Sequence, residues 1–77
     1  MVTLYGRPGC HLCALARDAL LGFDAIELRE VDIETDDGLL AEYLERIPVV
    51  ELRGHVVSEL EFDSDAFEAA LAHTVEP

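Results

Sequence analysis

The two cysteines of this sequence, Cys10 and Cys13, are the residues best suited to chemistry. His11 and Leu12 separate them, which gives a Cys-x-x-Cys motif. Thiols at this spacing exchange with disulfides or bind metal ions, because the thiolate is both a nucleophile and a metal ligand. Secreted domains stapled by disulfides usually carry about four or more cysteines, so we favour a reactive or metal-binding pair.

The sequence around the motif predicts a strand, a loop and a helix. Residues 2–5 favour a strand that ends at Gly6, and residues 6–9 (Gly-Arg-Pro-Gly) form a loop rich in helix breakers. Apolar side chains then recur at helical spacing from Cys10 to Leu21, and Gly22 follows as a C-cap. Unpaired N–H groups at a helix start stabilise a thiolate. We therefore expect Cys10 to be the exposed nucleophile and Cys13 the more buried resolving thiol.

The remaining residues predict two more helices and three more strands. A strand over residues 25–33 precedes an acidic helix start and apolar positions that reach Ile47, where Pro48 ends the helix. Strands 49–52 and 55–60 flank a two-residue turn, Arg53-Gly54, and a last helix opens at residues 63–65, with Asp65 and Glu68 as a capping pair. The predicted core contains Leu12, Leu15, Phe23, Tyr43, Phe67 and Leu71.

This order, β-α-β-α-β-β-α, predicts an α/β protein with a mixed four-stranded sheet flanked by three helices. The first two strands should be parallel, with a right-handed crossover, and the later hairpin antiparallel. It is the minimal thioredoxin-like arrangement. We expect one domain over residues 1–77, with residues 74–77 as a loose tail.

The composition limits the partners of the chain. It has 77 residues with 17 acidic side chains against 5 basic ones, a net charge of −12. Phosphates would be repelled, so we expect no binding to nucleic acid or anionic membranes. No apolar run approaches the roughly 20 residues that span a bilayer, and the first residues do not resemble a secretion signal. We expect a cytoplasmic monomer.

Three alternatives to redox chemistry remain open for the cysteine pair. Zinc needs about four ligands, and His11, His55 and His73 do not follow a zinc-finger spacing, so we expect no metal site within one chain. An iron–sulfur cluster shared by two chains is a second alternative. A chemically silent buried pair or permanent staple is the third, although so short a loop removes little chain entropy.

Several segments resemble glutaredoxins. Residues 4–13 resemble their active-site segment, residues 31–34 the end of their second strand, and residues 46–50 their Val-Pro segment, whose proline is cis. The similarity extends from Val2 to about Leu71 and is closest to small bacterial glutaredoxin-like proteins. From the sequence alone, Pro48 is a trans helix-stop proline in the simpler interpretation, whereas the resemblance implies a cis proline.

The resemblance implies a thiol–disulfide oxidoreductase with Cys10 as nucleophile and Cys13 as resolving cysteine. Arg7 matches a basic residue that contacts the carboxylate of glutathione, and Ile47 and Pro48 match a main-chain docking site. No cofactor is implied as resident; glutathione or a thioredoxin-type reductant would be a co-substrate. The expected partner is a disulfide-containing protein or a small-molecule thiol.

The sequence also differs from the glutaredoxin pattern. Residues 57–63 lack the family's Gly-Gly and carry Glu59 and Glu61, so we expect weak binding of the anionic glutathione. This difference keeps a non-catalytic thioredoxin-like binding module as an alternative. His11 would either support the Cys10 thiolate or be an exposed polar residue, and Arg17 would either support the thiolate or pair with an acid.

Overall fold

The computed structural model describes residues 1–24 and 26–73. Its elements follow the predicted order: β1 (Val2–Gly6), α1 (His11–Leu21), β2 (Leu28–Asp32), α2 (Asp37–Tyr43), β3 (Val49–Leu52), β4 (His55–Glu59) and α3 (Ser64–His73). A 3₁₀ turn, Ile33–Thr35, connects β2 to α2. The predicted tail, residues 74–77, lies outside the described residues.

The strands form one mixed sheet in the order β2-β1-β3-β4. β1 and β2 are parallel, with Gly6 opposite Asp32, because α1 carries the chain back to the start of the sheet. β3 is antiparallel to both β1 and β4, and Tyr5 pairs with Val49. The ends of β1 and β2 and the start of β3 therefore meet at one edge, called here the thiol edge because α1 begins there.

The hydrophobic core lies between one face of the sheet and the helices α1 and α3. Its buried side chains are Val2, Leu4, Ala16, Leu20, Val50, Leu52 and Phe67. Phe67 is fully buried and contacts the rings of Phe23 and Phe62, with centroids 4.9 and 5.6 Å away. This aromatic group anchors α3 to the sheet, as burial of a large ring contributes more than that of most side chains.

Helix α2 packs against the opposite face of the sheet through a polar aromatic cluster. Tyr5 of β1 stacks on Tyr43 of α2 with centroids 4.4 Å apart. Both hydroxyls donate to the carboxylate of Glu51, at 3.2 and 3.4 Å. Burial, followed by the negative charge of Glu51, raises the pKa of both tyrosines. Tyr5 thus holds α2 against the sheet.

Several predicted element boundaries are wrong. The fourth strand was expected to reach Leu60 but ends at Glu59. The second strand was expected over residues 25–33, but β2 runs from Leu28 to Asp32, and Ile33 is buried in the 3₁₀ turn. The second helix was expected to reach Ile47 but ends at Tyr43. The N–H groups of Arg46 and Ile47 both donate to the carbonyl of Tyr43, at 2.8 and 3.0 Å, so the chain tightens into a turn before Pro48. Proline disfavours helical geometry in the residue before it.

Side-chain placement in α1 also differs from prediction. Leu12 and Leu15 were expected in the core but are 41% and 50% exposed. α1 buries a narrow stripe of Cys13, Ala16 and Leu20 instead, because the small side chains let the helix lie close to the sheet.

The start of α3 corrects the predicted capping pair of Asp65 and Glu68. A carboxylate oxygen of Asp63 accepts the N–H of Ala66 at 3.0 Å. Asp63 is therefore the capping residue, and Asp65 lies within the first turn of the helix. By contrast, Arg53 and Gly54 form the predicted two-residue turn, with φ of 53° and 85°, as a type I′ hairpin requires.

Candidate active site around Cys10 and Cys13

Cys10 is the N-cap residue of α1. Its backbone is extended, with φ −89° and ψ 112°, and its Sγ accepts a hydrogen bond from the N–H of Cys13 at 3.2 Å. The N–H of Cys10 donates to the carbonyl of Arg7 at 3.4 Å, which closes the preceding loop. Gly9 permits this loop because its φ of 79° suits glycine far better than other residues. The loop thus presents a partly exposed sulfur to the positive end of the helix.

Cys13 lies beneath Cys10 and is only 8% exposed. It packs against Gly6, where an added Cβ would lie 3.0 Å from the Cys13 Sγ. Burial, followed by the hydrogen bond with Cys10, raises the pKa of Cys13 to about 11. Both thiols are free. The two cysteines therefore differ in exposure, and burial raises the pKa of the inner one, as expected of a resolving thiol.

A cleft of about 350 Å³ opens beside the two thiols, between α1 and β2. It is lined by Leu4, Gly6, Arg7, Pro8, Gly9, Cys10, Cys13, Ala14, Arg17, Glu30, Val31 and Asp32. At its rim, Arg7 Nε lies 3.3 Å from Glu34, and Arg17 Nη1 lies 3.9 Å from Glu30. Arg17 thus pairs with an acid, which was one of its two expected roles.

Ile47 and Pro48 lie on the other side of β1. The peptide bond between them is cis, in agreement with the glutaredoxin resemblance, and Pro48 is buried. They immediately precede β3, whose first residue, Val49, pairs with Tyr5. They are therefore near the thiol edge but do not line the cleft. The N–H of Ile47 is already bonded to Tyr43.

The predicted site residues thus fall into three groups. Arg7, Cys10 and Cys13 come together at the cleft. His11 is exposed as the first residue of α1, outside the cleft lining. Ile47 and Pro48 form the third group, across β1.

A polar link connects the segment before Pro48 to the loop after β4, where the resemblance places the missing Gly-Gly. Leu60 donates its N–H to the carbonyl of Arg46 at 3.0 Å. The guanidinium of Arg46 contacts Glu42 at 3.0 Å and Glu59 at 2.9 Å. These contacts connect the two segments and pair Arg46 with two carboxylates.

Three acidic residues at the cleft were not predicted from the sequence to be site residues. Glu30 and Asp32 line the cleft, and Glu34 pairs with Arg7. The signal for them was present, because a parallel β-α-β unit places the end of its second strand beside the end of the first. Gly6 was likewise treated as a breaker, although its missing side chain makes room for Cys13.

Among the side chains that the structure describes, those of residues 1–24 and 26–72, no group of three or more His, Cys, Asp or Glu is arranged to hold a metal ion. The site contains two thiols, an open cleft and paired charges. In the same described ranges, no helix combines the length and apolar content needed to cross a membrane.

The mixed sheet, its three helices and the thiol pair at the start of α1 define a thioredoxin-like α/β domain. The sequence matches the family model described as "Glutaredoxin-like domain (DUF836)" over residues 1–74. The chain therefore belongs to this glutaredoxin-like family. No curated protein matches the chain.

Solved structures agree with this fold. Protein XcR50 from X. campestris is 34% identical, with a TM-score of 0.82 over 95% of this chain and 97% of that one. Protein Ne2328 from Nitrosomonas europaea is 28% identical, with a TM-score of 0.72 over 90% and 87% of the two chains. A mutant of the thioredoxin-like protein BC3987 is 21% identical, with a TM-score of 0.68 over 92% and 99%. At that identity, BC3987 supports the fold alone.

Proposed function

We propose that this protein is a thiol–disulfide oxidoreductase in which Cys10 is the nucleophile and Cys13 the resolving thiol. The hydrogen bond from the Cys13 N–H to the Cys10 Sγ is the observation that carries the proposal. An N-capping sulfur accepts an N–H bond more strongly as a thiolate than as a thiol, because charge strengthens hydrogen bonds. The buried Cys13 remains protonated until the exchange requires it.

The proposed reaction has two displacements. The Cys10 thiolate attacks one sulfur of a substrate disulfide, the substrate S–S bond breaks, and the leaving thiolate takes a proton from water. Cys13 then loses its proton to solvent and attacks the Cys10 sulfur of the mixed disulfide. The second substrate thiolate leaves, and Cys10 and Cys13 become a disulfide. The substrate gains two electrons, which the cysteine pair supplies.

The other proposed site residues act in binding. Arg7 lines the cleft with Cys10, and a carboxylate of glutathione, as reductant, would contact it only by displacing Glu34. His11 follows Cys10 directly and would support its thiolate when protonated. Ile47 and Pro48 would dock the substrate main chain from the other side of β1, through the Ile47 carbonyl because its N–H is engaged.

The proposal includes a cytoplasmic setting, where thiols are kept reduced. The partner would be a disulfide-containing protein or a small-molecule thiol. Glutathione or a thioredoxin-type protein would reduce the Cys10–Cys13 disulfide in turn. A monomer provides every residue of the proposed reaction, since both thiols lie on one chain.

The reduction potential of the cysteine pair tests this function. The protein is equilibrated in glutathione buffers, quenched with an alkylating agent, and its products are weighed by mass spectrometry. A potential of about −180 to −270 mV, the range of working exchange catalysts, supports the proposal. A value below about −300 mV would indicate a permanent staple. Failure to form the disulfide, together with stoichiometric iron in anaerobically purified protein, would favour a cluster-bridging role.

A further inference from the structure

Two guanidinium groups and two carboxylates line the cleft beside the thiols, and a third carboxylate, that of Glu34, lies at its rim. The two arginines, Arg7 and Arg17, are paired with carboxylates of β2 and of the 3₁₀ turn that follows it. Those carboxylates belong to Glu34 and Glu30, and Asp32 adds a third acidic side chain to the cleft. Each guanidinium thus has a carboxylate partner, and the cleft together with its rim has one carboxylate in excess.

Carboxylates also outnumber cationic groups on the other side of the thiol edge. Arg46, which directly precedes the Ile47-Pro48 peptide, contacts both Glu42 and Glu59. One cation thus faces two anions there as well. The whole chain adds to this local effect, because its net charge is −12. A disulfide that approaches Cys10 from either side meets a negative potential.

We propose that the thiol pair discriminates its substrates by charge, and that it reacts preferentially with disulfides whose sulfurs are flanked by cationic groups. This inference rests on the proposed function. The attack takes place at a cleft that Glu30 and Asp32 line together with Cys10, and unlike charges attract even through water. Proteins with basic side chains beside their disulfide are the matching partners. The disulfide of glutathione is anionic and falls in the disfavoured class.

The protein distinguishes between disulfide substrates in the first displacement. With cystamine as substrate, the Cys10 thiolate bonds to one sulfur, the S–S bond breaks, and cysteamine leaves with a proton from water. Cys13 then displaces the second cysteamine and closes the Cys10–Cys13 disulfide. The dithiol supplies both electrons, so the reduced protein reacts in a single turnover without a separate reductase.

Three small disulfides of similar size test the inference: cystamine, a dication; bis(2-hydroxyethyl) disulfide, which is neutral; and 3,3′-dithiodipropionate, a dianion. Oxidation of the reduced protein is followed by alkylation and mass spectrometry. Each rate is divided by the rate at which the same disulfide reacts with 2-mercaptoethanol. This normalisation removes two effects: the intrinsic reactivity of each disulfide, and its electrostatic attraction to or repulsion from a simple thiolate. We expect cystamine to exceed the dianion by about tenfold at low salt. The ratio should approach one near 1 M salt, where the Debye length is about 3 Å.

Paired variants identify the source of the preference. Glu30→Gln with Glu34→Gln removes two cleft carboxylates and releases both arginines, so the cystamine-to-dianion ratio should fall at least about threefold. The matched control is Glu27→Gln with Glu68→Gln, which makes the same change in net charge. Both control residues are exposed, and Glu27 lies beyond the end of β2 that is remote from Asp32. The control should retain the wild-type ratio.

The outcomes separate the inference from the function on which it rests. If the neutral disulfide is consumed but the normalised rates are equal, charge discrimination is wrong and the oxidoreductase function stands. Equal loss of the ratio in both double variants would assign the effect to net charge and overturn the role of the cleft. If none of the three disulfides oxidises the protein, the proposed function itself is wrong.

Discussion

Gly6 and Cys13 are in direct contact where the end of β1 meets α1: an ideal Cβ on Gly6 would lie 3.0 Å from the Cys13 Sγ and 3.2 Å from its Cβ. The absence of a side chain at Gly6 therefore lets the thiol lie against the strand backbone. Burial at this position raises the pKa of Cys13. A backbone feature of β1 thus influences the chemistry of a cysteine in α1.

Gly6→Ala should destabilise the protein by about 1–3 kcal/mol, the usual cost of overpacking a well-filled site. The new methyl group must displace the Cys13 side chain or shift β1. The free energy of unfolding in urea measures this cost. Repetition in a Cys13→Ala background supplies the control, because the closest contact is with the sulfur. An equal cost in both backgrounds would show that the strain lies elsewhere.

The resolving step should accelerate with pH. Cys13 attacks only as a thiolate, so below its pKa the rate rises about tenfold per pH unit. In the mixed disulfide the Cys10 thiolate is absent, which removes one cause of the raised pKa of Cys13 but leaves its burial. The midpoint should therefore lie below about 11 and above the ordinary value of about 8.5.

This pH dependence is measured on the mixed disulfide of Cys10 with 2-mercaptoethanol. The release of 2-mercaptoethanol is followed from mildly acidic to strongly alkaline pH by rapid acid quench and mass spectrometry. A midpoint near or below about 8.5 would contradict a buried, protonated Cys13. The unfolded protein provides the reference, since its cysteines are fully solvated.

Leu15 and Leu20 of α1 should respond very differently to truncation. Leu20 is fully buried in the core, so Leu20→Ala should cost about 2–5 kcal/mol. Leu15 is 50% exposed, and Leu15→Ala should change the free energy of unfolding by less than about 1 kcal/mol. The two changes remove the same atoms from one helix, so thermal or urea unfolding compares them directly. A large cost at Leu15 would mean that its outer surface is covered in solution.

This comparison shows why periodicity predicted the helix but not its buried face. Leu12 and Leu15 satisfy the helical spacing as well as Ala16 and Leu20 do. Their exposure depends on which side of α1 packs against the sheet. The small side chains of Cys13 and Ala16 determine that side, because they allow the closest approach. Local sequence carries little information about such a choice, because large apolar side chains are the usual core residues.

The order of elements was predictable because it depends on local patterns and chain length. Breakers such as Gly22 and the Arg53-Gly54 turn mark boundaries that the structure confirms. The end of α2 was not predictable, since it depends on the carbonyl of Tyr43 accepting two N–H groups. Tyr43 is in turn fixed by Tyr5, a partner 38 positions away in the sequence.

The cap of α3 provides a second matched pair. Asp63→Ala removes the carboxylate that accepts the Ala66 N–H and should cost about 1 kcal/mol. Asp65→Ala removes only an acid of the first turn and should cost a few tenths of a kcal/mol, roughly what the helix dipole supplies at an exposed site. Unfolding in urea measures both. A larger loss at Asp65 would restore the capping pair predicted from sequence.

Replacing each cysteine by serine should remove a different step of the proposed reaction. Cys10→Ser removes the proposed nucleophile, so the protein should no longer react with a small disulfide, even though Cys13 retains its thiol. Its burial and raised pKa keep Cys13 from substituting as the attacking group. Cys13→Ser keeps the exposed nucleophile but removes the second displacement, so the mixed disulfide on Cys10 should accumulate.

Intact mass after incubation with bis(2-hydroxyethyl) disulfide distinguishes these variants. Cys13→Ser should gain one 2-mercaptoethanol adduct, whereas Cys10→Ser should retain its reduced mass. The wild-type protein should lose two hydrogens and carry no adduct, because Cys13 closes the disulfide. Since serine replaces cysteine with little change in volume, both variants should remain folded. An adduct on Cys13 in the Cys10→Ser protein, formed at the wild-type rate, would reverse the assignment of the two roles.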